Sequence, residues 1–275
     1  MRSGNAEYEY LAQPLCVADT GTVKLLRKTA LVLLAFFARF QRAPRLTVML
    51  YHSVSDEPWQ YAVSPVEFER QMKYIAERYD VIPLEQVLKH MGGAPLTRSA
   101  VSVTFDDGYR DFLTNALPVL KKFSIPATVF VSLEETARRE LGTERELLRR
   151  DDAIALQHSL VTLGSHALTH RKLRRLSVDE VREEAIRSRE LLCERFGALP
   201  SFFAYPKGSH SPAVAQAVKE AGYDAAFTTE PRAVQVGEEP YMVPRIQIDA
   251  TISFAEFKAR LTRAADWYYA MRRYL

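Results

Sequence analysis

Val101-Ser102-Val103-Thr104-Phe105-Asp106-Asp107-Gly108-Tyr109 is an apolar, β-branched run that stops at two adjacent carboxylates and a glycine. A run of this kind reads as a buried strand. Acids at the carboxyl end of such a strand lie at the mouth of an α/β fold, where these folds place their chemistry. Burying charge there is costly unless it is paired or holds a metal. Working outward, the segment Gly164-Ser165-His166-Ala167-Leu168-Thr169-His170 supplies two imidazoles of the kind a metal needs.

Strand-like runs recur along the chain at Thr47–Tyr51, Asp80–Ile82, Ala127–Val131, Leu160–Gly164, Phe202–Tyr205, Ala225–Thr228 and Arg245–Ile248. Helical stretches with their own start signals lie between them. Ser64-Pro65-Val66-Glu67 and Ser177-Val178-Asp179-Glu180 are capping boxes, and Ser211-Pro212 opens a third helix that closes at Ala221-Gly222. Alternating strand and helix predict a parallel sheet. So many units in about 230 residues suit a closed barrel better than an open sheet. The expected architecture is a catalytic domain over 45–275 preceded by an extension over 1–44.

That extension carries Lys24, Arg27 and Lys28, then the apolar run Ala30–Ala38, then Arg39 and Arg42. The run is about half the roughly 20 residues a membrane span needs. Three readings stay open: a helix packed on the domain, a membrane-surface or signal-anchor helix touching lipid through residues 24–42, and a signal peptide. A cytoplasmic, membrane-associated or exported location follows from each in turn. The net charge of +3 comes with no basic stripe interleaved with aromatics, so nucleic acid is not an expected partner. Cys16 and Cys193 have no metal or disulfide spacing, and Cys193 is expected as a buried thiol on an apolar helix face. The run Arg171-Lys172-Leu173-Arg174-Arg175 reads as a solvated face. Oligomeric state has no sequence signal.

In a barrel of parallel strands all carboxyl ends face one way. His52, Asp106 with Asp107, His166, and Tyr205-Pro206-Lys207-Gly208 all follow predicted strands, so they are expected on one rim. His166 and His170 are four apart, a spacing that puts both rings on one face of a helical turn. With a neighbouring carboxylate they make a two-nitrogen, one-oxygen set with an open position, the pattern of catalytic zinc. Its work would be to bind a water and polarise a carbonyl. Two adjacent aspartates cannot both ionise cheaply, so one is expected on the metal and the other as a general base. His52 is placed to protonate a leaving group. Ala167 stands where a zincin protease has its glutamate, which excludes that class.

Three stretches resemble the motifs of the polysaccharide deacetylases, the NodB-homology group (carbohydrate esterase family 4). They are Thr104–Tyr109, Ser165–His170 and Phe203-Ala204-Tyr205-Pro206-Lys207-Gly208, the last in the form of the poly-N-acetylglucosamine deacetylase branch. Met49-Leu50-Tyr51-His52-Ser53 is similar to the opening of that branch. The resemblance spans residues 45–262 and implies a distorted (β/α)7 barrel. It implies Asp106 as base, His52 as acid, and Asp107, His166 and His170 as ligands of a divalent metal, with zinc the expected ion and nickel, cobalt and iron open. The backbone N–H of Lys207 would stabilise the oxyanion. The implied substrate is an acetylated glycan or glycolipid, and the implied reaction frees acetate and an amine. Many relatives begin the third motif with an arginine that positions the base; Ser201 or Phe203 stands there here, and Arg245 is the candidate replacement. Tyr205, Pro206, Trp59 and Tyr109 are candidate substrate contacts. Competing readings are an O-acetyl esterase on the same site, a glycan-binding pseudoenzyme, and a non-haem iron oxygenase, whose HxD…H order is absent.

Overall fold

The structure, a computed structural model, describes residues 29–35, 43–133, 145–156, 159–197 and 199–272. Ten strands are present: β1 Leu46–Tyr51, β2 Ser53–Val54, β3 Ala62–Val63, β4 Asp80–Val81, β5 Ala100–Phe105, β6 Ala127–Val131, β7 Val161–Ser165, β8 Phe202–Ala204, β9 Ala225–Phe227 and β10 Ile246–Gln247. Every run read as a strand from sequence is one, within a residue or two of the expected ends.

Seven strands follow the path β10-β1-β5-β6-β7-β8-β9, and every pairing along it is parallel. The ring is closed by residues 243–248. Val243 N donates to Ala226 O at 3.0 Å, and Ile248 N donates to Leu50 O at 2.8 Å. One short segment therefore joins the last strand to the first, which makes the sheet a distorted seven-stranded barrel. β4 lies off the path, pairing only with the start of β5.

All residues of β1, β5 and β6 are buried, because a parallel sheet inside a ring of helices is covered on both faces. The helices form where their start signals predict. Ser64 Oγ accepts from Glu67 N, and helix Pro65–Arg78 buries Phe68, Met72 and Ile75. Only half of the expected capping box forms there, since Glu67 accepts from Gln71 instead. Ser177 and Glu180 complete a reciprocal box at the start of Val178–Phe196, which stops at Gly197 in the left-handed region (φ 65°).

Two expectations about packing are corrected or refined. Cys193 is exposed, not buried: the inward stripe of its helix is Val181, Ala185, Ser188 and Leu192, and Cys193 lies one position round from it. The helical segment 29–35 seats Leu31 against Ala259 and Ala264 while Leu33 stays exposed. Among the described residues no helix is long and apolar enough to cross a membrane. The residues 24–28 and 36–42 lie outside the described residues, as do Cys16 and His158.

Candidate active site

The carboxyl ends of β1, β5, β7 and β8 meet at one end of the barrel. Asp106 leaves β5 with its N–H donating to Tyr51 O at 2.9 Å. Asp107 then takes a left-handed backbone (φ 71°), unusual for a residue with a Cβ. That reversal turns the second carboxylate away from the first, so the two adjacent acids have different neighbours.

Asp106 faces Arg245. The guanidinium donates from Nη1 to Oδ1 at 2.6 Å and from Nη2 to Oδ2 at 2.7 Å. Both side chains are buried. Arg245 is itself held by Nε donating to Thr228 O at 2.9 Å, and it lies over the Phe130 ring. The two-point fork fixes the carboxylate plane. Burial alone would favour the protonated acid, but the Arg245 charge and hydrogen bonds outweigh it and hold Asp106 below the usual carboxylate range.

Asp107 faces the histidines. His170 Nε2 lies 3.2 Å and His166 Nε2 3.5 Å from Asp107 Oδ1. Neither contact is aligned as a hydrogen bond, and Oδ1 is buried without a donor among the described residues. Burial pushes the Asp107 pKa up, but the adjoining imidazoles of His170, His52 and His166 bring it well below the ordinary value. His166 Nδ1 is 2.8 Å from Ala204 O. A carbonyl only accepts, so Nδ1 carries the proton and Nε2 presents its lone pair. The two imidazoles are 5.0 Å apart between centroids.

Ligand atoms of Asp107, His166 and His170 lie within 4.8 Å of one another, all three residues buried. An orphaned carboxylate oxygen facing imidazole nitrogens fits a divalent cation of the zinc class. The helical turn expected for His166 and His170 is not there. Residues 166–170 form a loop, with Ala167 and His170 both left-handed at φ 60° and 61°, and these two reversals bring the rings together. Burial, more than the nearby charges, pushes His166 down to about 4. In the unfolded chain it takes up a proton near 6.5; in the metal-free native state it does so only near 4. The unfolded state therefore binds the extra proton as pH falls through this window. Metal-free protein is expected to lose about 3 kcal/mol of stability between pH 6.5 and 4, measurable by denaturant titration.

The chain is similar to known proteins in sequence and in fold. Residues 93–226 match the family Polysaccharide deacetylase. The chain carries a polysaccharide deacetylase domain. A poly-beta-1,6-N-acetyl-D-glucosamine N-deacetylase of Staphylococcus aureus is 27% identical over 241 residues, covering 84% of this chain and 83% of that protein. The solved deacetylase PplD of Streptococcus pyogenes, in complex with acetate, superposes with a TM-score of 0.68 at 22% identity, covering 80% of this chain and 99% of its own. IcaB from Ammonifex degensii gives 0.67 at 23% identity, covering 80% and 98%. These last two speak for the fold.

The other candidate residues lie around the same rim or beneath it. His52 is half-buried after β1, its Nδ1 without a partner among the described residues and its ring 5.0 Å from Tyr61. Trp59 stands edge-on to Tyr61 and Tyr109, with the Arg145 guanidinium 4.2 Å above it. Tyr109 is buried; burial and then the Asp107 charge push its hydroxyl pKa far up, so it stays protonated beside that carboxylate. These rings form an aromatic wall from His52 to Asp107. Lys207 takes a left-handed backbone (φ 57°) in the turn Pro206–Gly208, with its side chain outward.

Tyr205 and Pro206, expected as substrate contacts, are buried. The Tyr205 hydroxyl donates to Tyr241 O at 2.9 Å, and its ring stacks on His210, so it supports the turn from beneath. Arg171 is on the exposed run as expected, its side chain 41% exposed, and it also pairs with Glu180 and Glu184. Sequence reading also passed over Glu184. Its signal was available: Glu184 lies on the same helix stripe as Val181, Ala185 and Ser188, a carboxylate where an apolar residue is expected.

Proposed function

We propose that this polysaccharide deacetylase is a metal-dependent hydrolase that removes N-acetyl groups from N-acetylhexosamine residues of a glycan. The observation that supports this most is the pairing of one carboxylate with an arginine and its neighbour with two imidazoles. Asp107, His166 and His170 would hold the ion. Bound there, a divalent cation supplies Lewis-acid polarisation of the acyl carbonyl and of the attacking water.

The chain's own residues do the rest. Asp106, kept ionised and fixed in plane by Arg245, accepts the proton of the water that attacks the acyl carbon. Its lowered basicity is the consequence of that anchoring. The tetrahedral oxyanion is stabilised by the Lys207 backbone N–H, presented by the turn after β8. As the carbon–nitrogen bond breaks, His52 donates a proton to the leaving amine, so acetate and a free amino sugar result. The aromatic wall of Trp59 and Tyr61 offers flat faces to a sugar ring.

The sugar is read from the resemblance to the staphylococcal N-deacetylase, whose substrate carries N-acetylglucosamine. Purified protein loaded with zinc is expected to release acetate from N-acetylglucosamine oligomers and to stop when chelator is added. Release from acetylated xylan but not from those oligomers would replace the N-deacetylase reading with that of an O-acetyl esterase.

A further inference from the structure

Glu184 lies on the outer helix Val178–Phe196, yet its side chain is only 2% exposed. Its carboxylate gathers the loop that carries both histidines. Oε2 accepts from Leu168 N at 2.9 Å and from Thr169 N at 3.0 Å. Oε1 accepts from the Thr169 hydroxyl and from Arg171 Nη2 at 3.1 Å. Five donors from the four residues 168–171, Arg171 Nε at 3.4 Å among them, thus converge on a single buried acid.

The two histidines differ in what else holds them. His166 is tied to its neighbours at three points: its N–H donates to Val131 O at 3.0 Å, its carbonyl accepts from Ser132 Oγ at 3.1 Å, and its Nδ1 donates to Ala204 O at 2.8 Å. His170 Nδ1 is buried with no hydrogen-bond partner among the described residues. Among the described residues no carboxylate or carbonyl orients that ring through Nδ1, as usually happens for a metal-binding imidazole. Its place depends on the path of the backbone from Ala167 to His170, which runs through two left-handed residues. Left-handed backbone at residues bearing a Cβ persists only where surrounding contacts impose it. Between the two reversals Leu168 packs into the core, and both backbone amides, of Leu168 and Thr169, donate to Glu184.

We infer that Glu184 is a positioning residue for the metal centre. Through the Leu168 and Thr169 amides it holds the loop in the conformation that brings His170 to Asp107. This rests on the functional reading above, which assigns His170 as a ligand. Gln and Glu have the same shape, but the amide cannot accept at both ends, so Glu184→Gln puts an N–H where Oε1 or Oε2 now accepts.

Zinc affinity, measured by competition with a chromophoric chelator, is expected to fall about 10- to 100-fold in Glu184→Gln, the range seen when the groups that orient metal ligands are removed. The kcat at limiting zinc should fall with it, while KM for an N-acetylglucosamine oligomer stays unchanged. Excess zinc should restore much of the lost kcat. Should Glu184→Gln not fold, Thr169→Val removes one of these donors, the Thr169 hydroxyl, and is expected to weaken zinc binding in the same sense by a smaller factor. A folded variant of either kind with wild-type zinc affinity overturns the positioning role. Wild-type protein that binds no zinc overturns both this role and the reading it rests on, so the two failures are told apart by the wild-type titration.

Discussion

His166→Ala is expected to leave the protein without tightly bound divalent metal and to lower acetate release by more than about 100-fold. Even groups that merely orient ligands cost 10- to 100-fold when removed, and His166 is a proposed ligand itself. Its ring is the best anchored in the site, with the protonated Nδ1 on Ala204 O and Nε2 facing both aspartates at 3.5 and 3.8 Å. The backbone of the loop does not depend on the imidazole, because His166 N and its carbonyl are bonded to Val131 and Ser132. The variant should therefore fold, and elemental analysis of the purified protein reads the result directly. One equivalent of metal retained per chain would remove His166 from the centre.

Asp106→Asn separates the base from the metal set. The variant is expected to keep its metal, since Asp107 and the two histidines are untouched, and to lose at least about 10²-fold in kcat, the low end for a general base. A second effect follows from Arg245. That side chain is fully buried, and its two outer nitrogens both donate to Asp106. An asparagine leaves a buried guanidinium without its counter-charge, a change that costs about 3–5 kcal/mol in such pairs. The melting temperature should drop by on the order of 10 °C. Pairing the change with Arg245→Met should recover most of that loss without recovering activity. Wild-type turnover by the single variant would end the assignment of Asp106 as base.

Arg245 also shows why one role does not exclude the other. A structural ion pair and a cation that positions the base are the two roles open to it, and the buried two-point contact with Asp106 is compatible with both at once. Here the cation comes from residue 245, in the segment that closes the ring. The barrel's closure and the orientation of the proposed base therefore depend on the same six residues.

Much of this was legible in the linear chain. The strand runs are buried on both faces, so their apolar content is continuous and needs no partner to be recognised. The polar residues that end them stand out for the same reason. Ser177 with Glu180, and Ser211, announce helix starts because capping is local chemistry, completed within four residues. Strand direction alone put the acidic pair and His166 on one rim.

Other features depended on contacts between segments far apart in sequence. Spacing suggested a helix for His166 and His170, but tertiary contacts impose a loop with two left-handed residues, a conformation that local propensity disfavours. Glu184 carried no reading of its own until the loop of residues 166–170 was laid against it. Tyr205 looked like a sugar contact until its hydroxyl was seen bonded to Tyr241. In each case the deciding partner lies between 15 and 36 residues away. Local order and strand direction are properties of short segments, so the sequence by itself determined the barrel and which residues reach its rim. The direction each side chain takes there, and hence which acid meets arginine and which meets imidazole, depends on packing between distant segments, and only the tertiary structure decided it.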